Sequence, residues 1–404
     1  MKKHRLLTIF TVVFVNMLGF GLILPLLPFY AETFNASGTV VGLLVASYAA
    51  AQMIGAPALG RISDCYGRRP ILLVSLLGSF LGFVLLGVAN ALWLLFASRI
   101  LDGLTGGNVT VARAYITDVT DERDRAKGMG LIGAAFGLGF IIGPAMGGLL
   151  STGERYAVPA LVAAGLTALN LLAVYLWLPE SLSAERRAEL AADRETFSLR
   201  SLHNVLSRPR VSPLLQIVFV FGLALAIFEG VFSLYAQKHL DLASNQTGYM
   251  LAYAGLLVAL VQGAAIGRLA ARFQEERLLL GAAAIMTVSL MGWAYAPTVL
   301  AALLVLAPLS LSIGVLSATI HTALTKVVHS DEVGGILGLS AALTSLVRAI
   351  GPATGGVLFD VVGVWAPGLF AAALMSWLVW QMWRRSAPAI QPPLPNLEHE
   401  GTPR

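Results

Sequence analysis

Apolar residues run in blocks of about twenty, broken by short polar segments, along most of the chain. Twelve such blocks stand out, roughly 6–30, 40–59, 71–90, 93–117, 128–150, 157–178, 211–236, 246–267, 278–296, 299–323, 334–358 and 364–383. A run of about 20 apolar residues crosses the hydrocarbon core as a helix, which satisfies its own backbone N–H and C=O groups. The pattern predicts an all-α membrane protein with twelve transmembrane helices, numbered here spans 1 to 12. Met1–Arg5 ahead of span 1 imitate a signal peptide. The apolar run then continues to about Phe29 with no small-residue cleavage site, so it reads as a retained first helix.

The blocks repeat. Gly143-Pro144-Ala145-Met146-Gly147-Gly148 returns 208 residues later as Gly351-Pro352-Ala353-Thr354-Gly355-Gly356. Gly60-Arg61 returns 207 residues later as Gly267-Arg268. The near-equal offsets indicate a duplicated six-helix unit, both copies oriented alike because six is even. The expected organisation is a six-helix bundle over 1–178, a polar linker over 179–212, a second bundle over 213–384 and a Pro-rich disordered tail over 385–404.

Composition and charge sharpen this. The chain is 57% hydrophobic and only 12% charged, where soluble domains carry about 25%. Its mean hydropathy is +0.78. The net charge of +5 does not call for nucleic acid, because the cations collect in short loops. With both termini in the cytoplasm, 22 of the 27 Lys and Arg fall on that side and two, Arg155 and Lys238, on the other. That bias sets the orientation. One cysteine, Cys65, excludes an internal disulfide, and no metal cluster is offered.

Between spans 2 and 3 lies Gly60-Arg61-Ile62-Ser63-Asp64-Cys65-Tyr66-Gly67-Arg68-Arg69. Gly60 and Gly67 are expected to permit a tight turn at headgroup level. The ten residues resemble the loop between helices 2 and 3 of the major facilitator superfamily, apart from Cys65 where a basic residue is usual. In related transporters an acid at the position of Asp118 bonds the loop arginine that corresponds to Arg68. The resemblance thus implies a cytoplasmic gate or latch of Gly60, Asp64, Gly67, Arg68, Arg69 and Asp118.

Span 1 carries Pro25 and Pro28, which bend a membrane helix. Span 4 carries Arg99 and Asp102, three apart and so on one face. A charge at mid-membrane costs about 2.5–3.5 kcal/mol on insertion scales, so it faces a polar cavity or a partner. Arg99 followed by Gly103 is similar to the family's fourth-helix motif, whose arginine is associated with proton transfer. A purely structural ion pair is the other reading. In span 5, Gly139, Gly143 and Gly147 form a smooth stripe with Pro144 and Gly148 beside it. The full pattern resembles the antiporter signature of twelve-helix drug:H+ exporters.

Glu229 stands at the middle of span 7 with no cation within four residues. Phe228, Phe232 and Tyr235 surround it in sequence, and desolvation there penalises the charged form, so Glu229 is the candidate proton carrier. A hydrogen-bonded structural acid is the rival, and the roles of Glu229 and Asp102 exchange if Arg99 pairs across helices. Asn16, Arg113, Tyr235, Gln262 and His321 are further candidates for a substrate cavity. The resemblance extends over 6–384 and implies a proton-coupled efflux transporter of lipophilic or weakly cationic small molecules, working by alternating access. The twelve-helix tetracycline exporters are similar, yet their working acids in helices 1, 3 and 9 align with Asn16, Gly82 and Ile285, and their helix 8 histidine with Val258.

The expected partners are a small-molecule substrate, protons and the lipid bilayer of a bacterial inner membrane, without nucleic acid. A monomer is expected, with no cofactor beyond the proton gradient. An uncoupled facilitator or importer is the alternative. A membrane enzyme is disfavoured, since no HExxH, GxSxG or P-loop occurs.

Overall fold

A computed structural model describes residues 2–151, 156–192, 211–326 and 333–384. Among them every regular element is a helix. Span 1 is Lys2–Ile23, followed across a turn holding Pro25 by the short helix Leu27–Glu32. Spans 2 and 3 are Gly38–Tyr66 and Arg68–Gly87. Span 4 is two helices, Leu92–Leu104 and Asn108–Val119, broken at Thr105, Gly106 and Gly107. Spans 5 and 6 are Glu122–Leu150 and Ala157–Trp177, and a linker helix covers Ala184–Ala192. Spans 7 to 9 are Ser212–Leu240, Ser244–Arg272 and Glu275–Ala294. Spans 10 to 12 are Val299–Lys326, Val333–Val361 and Ala366–Arg384. Ten of the described helices are long and apolar enough to cross a membrane. The broken span 4 and the 19-residue span 12 complete the twelve.

Two corrections follow for the loop between spans 2 and 3. No ten-residue loop forms: span 2 stays helical to Tyr66 and span 3 starts at Arg68, so Gly67 alone makes the corner. Gly67 has φ +105°, which an L side chain rarely adopts, and a Cβ there would also strike the Glu180 carboxylate. Gly60 lies inside the helix instead, where a Cβ would come 3.2 Å from the Thr110 methyl of span 4.

The repeat governs the packing. Span 1 packs on span 5 as span 7 packs on span 11, and the halves meet where span 2 crosses span 11 and span 8 crosses span 5. A Cβ on Gly42 would strike the Pro352 carbonyl, and one on Gly248 the Pro144 carbonyl, so both crossings bring backbone against backbone. Gly139, Gly143 and Gly147 face span 1 at Met17, Gly21 and Leu22, while Gly148 faces Asn245 of the other half. The glycine stripe of span 5 therefore serves contacts within the first half and between halves.

The halves touch at the face away from the linker, here the far face. Lys238 and Gln237 bond Glu32 there, and the Ser151 and Ser244 hydroxyls lie 2.9 Å apart. Among the described residues the contacts end toward the linker face: Gly130, Gly133 and Gly137 of span 5, Gly263 of span 8 and Gly338 of span 11 have open space at their Cβ positions. The halves form a wedge open to the linker side.

The first half has two apolar cores, one around Leu72 and Tyr115 on the linker side and one around Leu44 and Phe83 on the far side. Between them runs a buried polar layer that includes Ser75, Ser79, Arg99, Asp102 and Asn108. The second half has one large core in which Phe228, Phe232 and Tyr235 pack on Trp293.

Candidate functional site

Helical spacing on span 7 divides its residues between two faces. Phe228, Phe232 and Tyr235, at i, i+4 and i+7, form the aromatic stripe against Trp293 of span 9. Gly222, Leu225, Ala226 and Glu229 fall on another face and line open space. Glu229 is thus not enclosed by the aromatic stripe. Across from it stands Arg348 of span 11, and both side chains line two chambers. One chamber lies inside the second half, between spans 7, 10 and 11. The other lies between the halves, walled by Phe20 of span 1, Tyr48 and Gln52 of span 2, and Pro352 of span 11. The cation that sequence spacing missed comes from 119 residues away.

Tyr48 and Gln52 also went unnoticed in the sequence. The Gln52 amide donates to the Tyr48 hydroxyl at 3.0 Å and to the Gly106 carbonyl at 3.2 Å. That carbonyl is free because the helix of span 4 breaks there. Tyr48 lies within electrostatic reach of Asp102, Arg99 and Arg348, so it joins the charged centres of the two halves.

Arg99 and Asp102 form a buried pair, Nη1 to Oδ2 at 3.3 Å, with 2% and 5% of each residue exposed. The guanidinium lies 5.5 Å from the Phe83 ring. Gly82 of span 3 lets this pair pack: a Cβ there would be 3.0 Å from the Asp102 Cβ and 3.2 Å from the Ser98 carbonyl.

The residues expected to form a gate gather within the first half. Arg68, 6% exposed, pairs with Asp64 at 2.6 Å and with Asp118 at 3.1 Å, and donates to Ser63 Oγ at 2.6 Å. Glu180 accepts the backbone amides of Arg68 and Arg69 at 2.9 and 3.1 Å. It satisfies the unpaired N–H groups that begin span 3 and adds negative charge where a helix amino end favours it. Ser181 donates to Asp118 at 2.9 Å. Arg69 donates to the Tyr175 carbonyl at 2.6 Å. Glu180 is a member the sequence reading missed; its signal is the Pro179-Glu180-Ser181 stretch that leaves span 6.

The cavity candidates scatter. Tyr235 is fully buried and lines neither chamber, its hydroxyl donating to the Trp293 and Ala296 carbonyls. Asn16 is half-buried on span 1, and Arg113 is exposed on the linker side of span 4. Gln262 is exposed within a π-turn of span 8 over Val261–Ala265, an irregularity common at functional sites. His321 belongs to span 10, with its side chain outside the described residues.

The sequence model of the Major Facilitator Superfamily matches residues 9–352. The class C tetracycline resistance protein of Escherichia coli is 33% identical over 362 residues, 87% of this chain and 88% of that one. Multidrug resistance protein 2 of Bacillus subtilis (strain 168) is 29% identical over 404 residues, 96% and 98% of the two chains. The solved structure of a bacterial homolog of the human lysosomal transporter Spinster, inward-facing and occupied, superimposes with a TM-score of 0.76 at 15% identity, over 95% of this chain and 96% of that one.

Proposed function

The chain belongs to the Major Facilitator Superfamily, and on that footing we propose that it exports lipophilic or weakly cationic small molecules in exchange for protons, by alternating access. The observation that carries this reading is the shared wall of the two chambers, where Glu229 faces Arg348. Ionised, Glu229 is attracted to Arg348; protonated, it is not, and the contact between spans 7 and 11 loosens. A cationic substrate in the chamber between the halves favours the ionised carboxylate and so competes with the proton. Asp102 already has Arg99 at 3.3 Å and is the positioning partner of that arginine. The membrane is read as a bacterial plasma membrane with both termini in the cytoplasm, which rests on the 22 to two distribution of Lys and Arg. The wedge is then open to the cytoplasm, the side from which an exporter loads. The names of the tetracycline and multidrug resistance relatives support drug efflux.

The test is proton release from purified protein in weak buffer on addition of tetraphenylphosphonium, a lipophilic cation. Wild type releases a proton on binding, Glu229→Gln releases none while retaining some binding, and Asp102→Asn loses binding or stability. Normal release from Glu229→Gln would sink the reading.

A further inference from the structure

The two chambers that meet at Glu229 lie in series along the spans. Spans 7 and 11 run from the linker face to the far face, and span 10 runs back. The chamber inside the second half takes its lining from Ser340 and Thr344, earlier on span 11 than Arg348, and from Ser317, late on span 10. It therefore extends from Glu229 toward the linker face. The chamber between the halves uses Phe20, Tyr48 and Pro352 and extends the other way.

Their chemistry differs as well. The chamber inside the second half has a volume of about 190 Å³, room for several waters at about 30 Å³ each. Three hydroxyls line it, and a hydroxyl both donates and accepts, so it can hold a water chain in line. Thr344 donates its own proton to the Ser340 carbonyl at 2.8 Å, leaving its lone pairs to accept from water. The opposite chamber is walled mainly by apolar and aromatic groups and holds only about 40 Å³ in this conformation, so an organic molecule of drug size would occupy it only as the two halves part around it.

Resting on the reading of Glu229 as proton carrier, we propose that Ser317, Ser340 and Thr344 position a water-filled route by which its proton leaves toward the linker face, apart from the chamber that takes the substrate. Substrate and proton then share Glu229 but not a path. The carboxyl O–H of Glu229 breaks and its proton passes to the nearest water. An excess proton leaves the far end of the chain to solvent, and the carboxylate stays behind facing Arg348. No other bond changes. The charged or titratable groups lining the two chambers are Glu229 itself, Arg348 from span 11 and Tyr48 from span 2; the described lining from spans 1 and 10 adds none.

The test follows the infrared carboxyl band of Glu229 in the full-length protein after an upward pH jump, the band being assigned by its loss in Glu229→Gln. In Ser340→Ala/Thr344→Val the band should decay at least about tenfold more slowly, the scale of losing a positioned proton relay. Tetraphenylphosphonium affinity should stay unchanged, and restoring serine at 344 should recover the rate. An unchanged decay overturns the route. So does a slowing matched by equal loss of tetraphenylphosphonium affinity, or the same slowing in His321→Asn alone. A wild type with no such band overturns the Glu229 reading itself, and the route with it.

Discussion

The carboxylate of Asp360, at the end of span 11, caps the amino end of span 2 by accepting the Gly38 amide at 2.9 Å, and the Thr39 amide beside it at 2.6 Å. The first four N–H groups of a helix have no partner within it and are left to caps or water, and here a carboxylate from the other half takes two of them. The repeat-related place is occupied by Ser151 and Ser244, hydroxyl to hydroxyl, with no charge. Of these two repeat-related clasps one is charged and one neutral, and the Lys238–Glu32 pair holds the far face beside them. Asp360→Ala removes a pair of charge-assisted hydrogen bonds worth about 1.5–3 kcal/mol. The protein should shift toward the conformation open at the far face, read as longer spin-label distances across that face in a Cys65→Ser background. Distances that stay as in the parent would show that the clasp does not hold the halves.

Gly67→Ala meets two obstacles, a left-handed backbone and the Glu180 carboxylate. The backbone alone, at φ +105° and ψ 155°, costs about 1–3 kcal/mol for a residue other than glycine. The melting temperature in detergent should fall, and relief from Glu180→Gln should be no more than partial, because the φ angle remains. A variant as stable as its parent would contradict the corner's geometry.

Asp64, Arg68 and Asp118 form an intact cluster while the wedge is open on their side. We propose that this cluster also engages the second half when the wedge closes, as a latch. Asp64→Asn should then lower turnover while the protein inserts and melts normally, because Arg68 keeps Asp118 and Ser63. Undiminished transport by Asp64→Asn removes the latch from the cycle.

Cys65 is exposed, one residue from the end of span 2. With the linker face in the cytoplasm, an impermeant thiol reagent should label it only after the membrane is made permeable. Labelling of intact cells would invert the topology.

Tetracycline resistance proteins are among the relatives, yet poor tetracycline export is expected here. The expectation rests on the resemblance drawn from the sequence, which aligns Asn16, Gly82 and Ile285 with the acids of tetracycline exporters and implies that a cationic metal–tetracycline chelate lacks its partners here. At position 82 a Cβ would already press on the Asp102 Cβ at 3.0 Å and the Ser98 carbonyl at 3.2 Å, so a larger side chain there would have to displace the Arg99–Asp102 pair. Expression in an efflux-deficient host should protect against lipophilic cations far better than against tetracycline. The opposite ranking overturns this assignment.

The amino-acid sequence by itself determined the spans, their number and the duplication, because burial in hydrocarbon allows little but a long apolar helix and leaves loops to carry the charge. Arg99 with Asp102 was also legible, since helical spacing places such neighbours on one face, while Arg68 with Asp64 was legible only through the resemblance of the Gly60–Arg69 stretch to a known family. Where a helix stops was less so: span 2 runs seven residues past its predicted end at 59, because its polar end remains helical when Arg68 bonds the Ser63 and Asp64 side chains. Only the tertiary structure decided what faces Glu229. Spacing along span 7 put the aromatic residues beside it in sequence, but a 100° turn per residue sends them to span 9 and leaves the carboxylate to Arg348. The Asp360 cap on Gly38 was out of reach for the same reason. Its partners are 322 residues apart, and nothing in either local pattern depends on the other until the two halves pack.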